Sequence, residues 1–229
     1  MSGVERVGET EWPRYPARLD IEYPEGGLGR ASTFFRIILA LPIAVIVGLL
    51  GNNFAGTWEF EWAQWVFNTA GGLAILSALW SGGVLVLPTL LMILFRRKYP
   101  RWWFDWHLEL MRFTTRVGAY VSLMRDEYPS TDEEQAVRLD LDYPDASRDL
   151  NRWMPLVKWL LAIPHYIALF ALGLASLVCV VIAWFAILFT GRYPRGLFDF
   201  VLGVQRWSLR VSAYMWLLTT DRYPPFSTG

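Results

Sequence analysis

The chain has 229 residues, of which 54% are hydrophobic and only 18% charged, a composition more apolar than that of a typical soluble domain. Its 21 basic and 21 acidic residues cancel, so bulk charge points to no nucleic-acid partner. The one cysteine, Cys179, excludes an intramolecular disulfide and a cysteine zinc cluster, and it sits in an apolar run as a small buried hydrophobe.

Residues 1–14 form a polar tail, and no apolar h-region appears in residues 1–32, so membrane targeting falls to the first membrane helix and not to a cleavable signal. The segment Arg18-Leu19-Asp20-Ile21-Glu22-Tyr23 alternates polar and apolar residues, the pattern of a half-buried strand, and Pro24 ends it. An apolar stretch from Thr33 to Leu50 and another from Thr69 to Phe95 follow, joined by a loop over Gly51–Asn68. Each is long enough to cross a bilayer, which takes about 20 apolar residues. Small residues at Gly71, Gly72, Ser77, Ser81, Gly82 and Gly83 suit close helix packing in the second.

After Tyr99-Pro100 an amphipathic helix is expected, with Pro100 in its first turn. Asp105, Arg112 and Arg116 then fall at i, i+7 and i+11 on one face, and Trp102, Trp103, Trp106 and Phe113 supply apolar bulk. Such a helix lies in the headgroup region of a membrane.

The same order of signals then returns. Arg138-Leu139-Asp140-Leu141-Asp142-Tyr143-Pro144 repeats the strand motif, and the apolar stretch Trp153–Thr190 is expected to hold two short helices turning near Gly173. Phe189-Thr190-Gly191-Arg192-Tyr193-Pro194 leads into a second amphipathic helix with Asp199, Arg206 and Arg210 at the earlier spacing. Arg30, Arg36 and Pro42 match Arg152, Lys158 and Pro164. The domain plan is therefore a tail (1–14), a first repeat (15–129) and a second repeat (130–229).

The expected fold is an all-α integral membrane protein. It has four transmembrane helices as two repeated hairpins, each followed by an interfacial helix, and the two strand motifs pair into a short cytoplasmic β ribbon. All Lys and Arg residues lie on the side of the termini, whereas the 51–68 loop carries only Glu59 and Glu61. The positive-inside rule then puts both termini in the cytoplasm.

Candidate binding residues are Arg101, Arg112, Arg116, Arg195, Arg206 and Arg210, whose planar forks suit lipid phosphates or another anion. Asp105 and Asp199 are read as structural ion-pair partners, and Pro42 and Pro164 as helix kinks. Asp140, Asp142 and Asp145 lack the glycine and distal glutamate of a calcium loop, so no metal site is expected. His107 and His165 have no counterparts in the other repeat, and a hydrogen-bonded His165 is preferred to a haem ligand. No cofactor is expected.

The motifs Arg138–Pro144, Phe189–Pro194 and Arg206-Trp207-Ser208-Leu209-Arg210-Val211-Ser212-Ala213-Tyr214 resemble the bacterial membrane family called domain of unknown function 4389, in two tandem copies. The first copy departs from the pattern at Arg96-Arg97-Lys98. The resemblance implies a bacterial inner-membrane protein and supplies no activity. The function expected is non-enzymatic: an accessory or scaffold subunit, or a lipid-organising protein, whose partners are membrane lipids and another membrane protein or a second copy. A carrier or channel for a lipid or small molecule is the alternative.

Overall fold

The computed structural model describes residues 15–52, 86–131, 133 and 135–228. Strand β1 (Ala17–Ile21) pairs antiparallel with β2 (Val137–Leu141), with Leu19 opposite Leu139. Alternation does what it must: Ala17, Leu19, Ile21, Val137, Leu139 and Leu141 are buried on one face, while Asp20, Arg138 and Asp140 are exposed on the other. A two-stranded ribbon is marginal alone. This one is backed by helices α3 (Arg101–Val121), packed on β2, and α6 (Arg195–Met215), packed on β1.

Both amphipathic helices begin directly after their prolines, whose extended backbone and missing N–H suit a helix start. The carbonyls of Pro100 and Pro194 accept the amides of Phe104 and Phe198 at 3.1 and 3.0 Å. The remaining helices are α1 (Arg30–Asn52), which packs on α3 and α5, α2 (Val86–Arg96, its last turn a π-helix over Met92–Arg96), and α4 (Met154–Leu161) and α5 (Ile163–Thr190), which pack on α6. The main core joins the ribbon's apolar face to Phe104, Phe198, Tyr99, Tyr193, Ile93 and Ile187.

The stretch 153–190 is not a hairpin. Gly173 is buried within α5, which runs unbroken for 28 residues. A glycine inside a helix costs about 1 kcal/mol. A turn among purely apolar neighbours would instead leave carbonyls unpaired where no water reaches them. Among the described residues α5 is the one helix long and apolar enough to cross a membrane. The expected 51–68 loop and the small-residue cluster at 71–83 fall outside the described residues, apart from Gly51 and Asn52, which end α1.

The two prolines act differently. Pro164 follows a one-residue break at Ala162 that divides α4 from α5. Pro42 sits inside a continuous α1 with its side chain exposed, and no break in the helix accompanies it.

Helix ends show why sequence positions match. Gly191 closes α5 with φ 72°, the left-handed cap that glycine adopts without strain. At the matching place Arg97 closes α2 with φ 51°. Leu123 and Leu218, at matching places after α3 and α6, also have positive φ (63° and 54°) and are buried. Their left-handed turns redirect the chain towards Asp126 and Asp221.

Candidate functional site

The arginines of the amphipathic helices face the ribbon. Arg112 Nε donates to the Leu139 carbonyl at 3.0 Å, while its other nitrogens reach Glu109 at 2.7 Å and Asp140 at 3.2 Å. Arg206 repeats the arrangement on the other strand, donating to the Leu19 carbonyl at 2.9 Å and to Asp20 at 3.0 Å. Each helix thus holds the strand of the other half of the chain. Arg116 binds the Ser130 carbonyl at 2.7 Å and Arg210 the Ser227 carbonyl at 3.2 Å, fixing the segments beyond the helices.

Arg195 and Arg101 sit at the helix starts, over the rings of Tyr23 (4.5 Å) and Tyr143 (5.6 Å). Arg195 also pairs with Glu25 at 2.5 Å. These two tyrosines give the Tyr-Pro motifs a further role: Tyr23 donates its hydroxyl to the Tyr193 carbonyl, and Tyr143 to that of Tyr99.

Asp105 and Asp199 are exposed and form no ion pair among the described residues. Arg101 and Arg195, one turn away, are turned to Tyr143 and to Tyr23 and Glu25, while Arg112 and Arg206 lie seven residues on, a rise of about 10 Å. The carboxylates that pair with these arginines come from the ribbon instead.

A cleft of about 520 Å³ opens at the ribbon between Arg18, Arg138, Arg206 and Arg210, with Asp20 and Asp140 in its wall. Burial, followed by the neighbouring Arg206 charge, lowers the pKa of Arg210. Tyr15 also lines the cleft, and burial holds its hydroxyl above the usual phenol range despite Arg210 nearby. Three of its guanidinium groups are matched by carboxylates: Arg206 by Asp20 (3.0 Å), Arg18 by Asp142 (2.6 Å) and Arg138 by Glu22 (3.2 Å).

A second constellation was not anticipated. Asp126 accepts the Gly29 amide at 2.6 Å and the Ser32 hydroxyl at 3.2 Å, and it pairs with Arg36, which also donates to the carbonyls of Tyr120 (3.0 Å) and Arg125 (2.7 Å). Asp221 accepts the Asn151 amide at 2.5 Å and pairs with Lys158 at 2.7 Å, and the lysine donates to the Thr220 carbonyl at 2.7 Å. Both cations lie over matched rings, Arg36 at 4.5 Å from Tyr120 and Lys158 at 4.9 Å from Tyr214. Each carboxylate therefore holds the start of an apolar helix and that helix's own cation at once, where the helix dipole also favours negative charge. Matching Arg36 with Lys158 found the cations. The shared Asp-x-Tyr-Pro spacing, Asp126 to Pro129 and Asp221 to Pro224, was the signal for their partners.

The histidines are held by aromatic neighbours. His165 Nδ1 accepts from Trp207 Nε1 at 3.2 Å, and its ring stacks on Phe226 at 4.1 Å. His107 lies against Trp103 and Trp106, with Nδ1 2.9 Å from the Trp103 carbonyl, and burial lowers its pKa. Asp140, Asp142 and Asp145 do not converge: they bond Arg112, Arg18 and Ser147 respectively.

Residues 152–228 match the model of the family described as a domain of unknown function, DUF4389. The match covers a single copy, running from the start of the apolar stretch through α6. No curated protein and no solved structure matches the chain.

Proposed function

We propose that the chain is a non-enzymatic bacterial inner-membrane protein, built from two tandem units, that acts as an accessory or scaffold subunit or as an organiser of anionic lipid. One observation carries this reading. Only 22% of the most apolar stretch of α5 is buried, with Ile167 68% and Phe189 78% exposed. In water such a face would be an aggregation surface; in lipid it is solvated.

The lipid-facing cations on this reading are Arg30, Arg96, Arg97, Lys98 and Arg192, which are exposed at the ends of the apolar helices. Arg112 and Arg206 serve the ribbon. The test is flotation of purified protein with neutral and anionic vesicles. Charge reversal at Arg96, Arg97 and Lys98 should weaken retention on anionic vesicles several-fold, while Arg112→Gln should lower thermal stability and leave retention nearly intact. Absence of flotation with either vesicle would overturn the membrane reading.

A further inference from the structure

The course of α5 is fixed at both ends by α6. At one end, Gly191–Pro194 link Thr190 directly to Arg195. At the other, His165 bonds Trp207 at 3.2 Å, and Leu169 packs with Trp207 and Val211. From His165 to Thr190 a helix rises about 37 Å, and from Arg195 to Trp207 about 18 Å. A helix standing perpendicular to α6 would carry His165 tens of ångströms from Trp207. The two contacts are met only if α5 doubles back alongside α6. Lys158, one turn before the break, extends the point, because it is tied to Thr220 and Asp221 just beyond the other end of α6.

Helix α6 itself belongs at the water boundary. Arg195 and Asp199 are exposed at its start, and Arg206 and Arg210 bond the ribbon and the C-terminal segment further along. Charges spread over about 22 Å of helix cannot lie in the hydrocarbon core without large cost.

We propose that α5 lies parallel to the membrane surface within one leaflet, with both of its ends on the ribbon side, and does not cross the bilayer. This rests on the membrane reading above and concerns residues 154–215. The faces of α5 agree with it. His165, Leu169, Gly173, Ser176, Ala183 and Ile187 are buried towards the protein, while Ile167, Phe170, Leu174, Val178, Val181 and Phe185 form a continuous exposed stripe. The occupant of that stripe is the acyl region of one anionic leaflet. Its charge complement is the set of exposed basic residues at the helix ends: Arg30 and Arg192 beside the α5–α6 junction, and Arg96, Arg97 and Lys98 at the end of α2, whose Leu94 carbonyl accepts from Arg152 just before α4.

Sidedness tests this directly. In the full chain with Cys179→Ser, single cysteines at Trp153 and Arg192 are treated with a membrane-impermeant maleimide in sealed inside-out and right-side-out vesicles. Both should label from the same face, whereas labelling from opposite faces overturns the in-plane course. Spin labels at Ile167, Val178 and Phe189 give a second reading. Equal depth is expected, and a profile deepest at Val178 and shallow at the other two marks a crossing helix. Protein that washes off the vesicles with alkali removes the membrane reading itself, a result separate from either labelling pattern.

Discussion

Lys158 reaches the Asp221 carboxylate at 2.7 Å from a position wholly shielded from solvent, and the same carboxylate receives the Asn151 amide. Removing the carboxylate leaves a buried cation uncompensated, which costs about 3–5 kcal/mol. Asp221→Asn should therefore lower the melting temperature in detergent more than Lys158→Met, which removes the charge and keeps the length. The reverse order would show that the pair does not hold the start of α4.

Arg97 occupies a left-handed position that its counterpart Gly191 fills with glycine. A non-glycine residue there bears roughly 1 kcal/mol of strain. Arg97→Gly should raise the melting temperature, while Gly191→Ala should lower it. Equal and opposite shifts would assign the whole effect to backbone conformation.

Arg112 and Arg206 act through a fork that bonds a strand carbonyl and a carboxylate together. Lysine keeps the charge and loses the fork. Arg112→Lys should then destabilise nearly as much as Arg112→Gln, by about 1–2 kcal/mol. The loss should persist in high salt, because the partly exposed ion pairs add little. Full rescue by lysine would make charge the operative feature.

His107 is disfavoured as a cation by burial against Trp103 and Trp106. Its folded pKa lies below the ordinary 6.5, so the unfolded chain binds the proton more readily. Stability is full above about pH 6.5 and falls as pH drops below it towards the lowered folded value. Melting curves between pH 7.5 and 5 should show this slope, and His107→Gln should flatten it.

Gly27 has φ 80°, and a Cβ there would lie 2.8 Å from the Gly191 carbonyl oxygen, which itself accepts the Leu28 amide. Gly27→Ala should destabilise through both strain and the clash. Gly26, with nothing within 4 Å, is the control, and Gly26→Ala should leave the melting temperature nearly unchanged.

Much of this architecture was legible in the sequence because periodicity names faces. Alternation over Arg18–Tyr23 and Arg138–Tyr143 gave the ribbon, and the prolines at 100 and 194 marked the helix starts. Periodicity does not say what a face meets: the spacing of Arg112 and Arg206 suits lipid phosphates, yet both side chains bond strand carbonyls. Gly173 is ambiguous for another reason: glycine in an apolar run is compatible with both a turn and a close-packed helix, and the choice depends on whether the freed carbonyls have water. The Asp126 and Asp221 bridges join residues far apart in the chain, and only their shared spacing from Tyr-Pro hinted at them.

The exchange of grips across the ribbon, Arg112 on the second strand and Arg206 on the first, makes the halves interdependent during synthesis. Strand β1 emerges long before α6, the helix that backs it, so the Leu19 carbonyl gains its Arg206 bond only when the end of the chain is made.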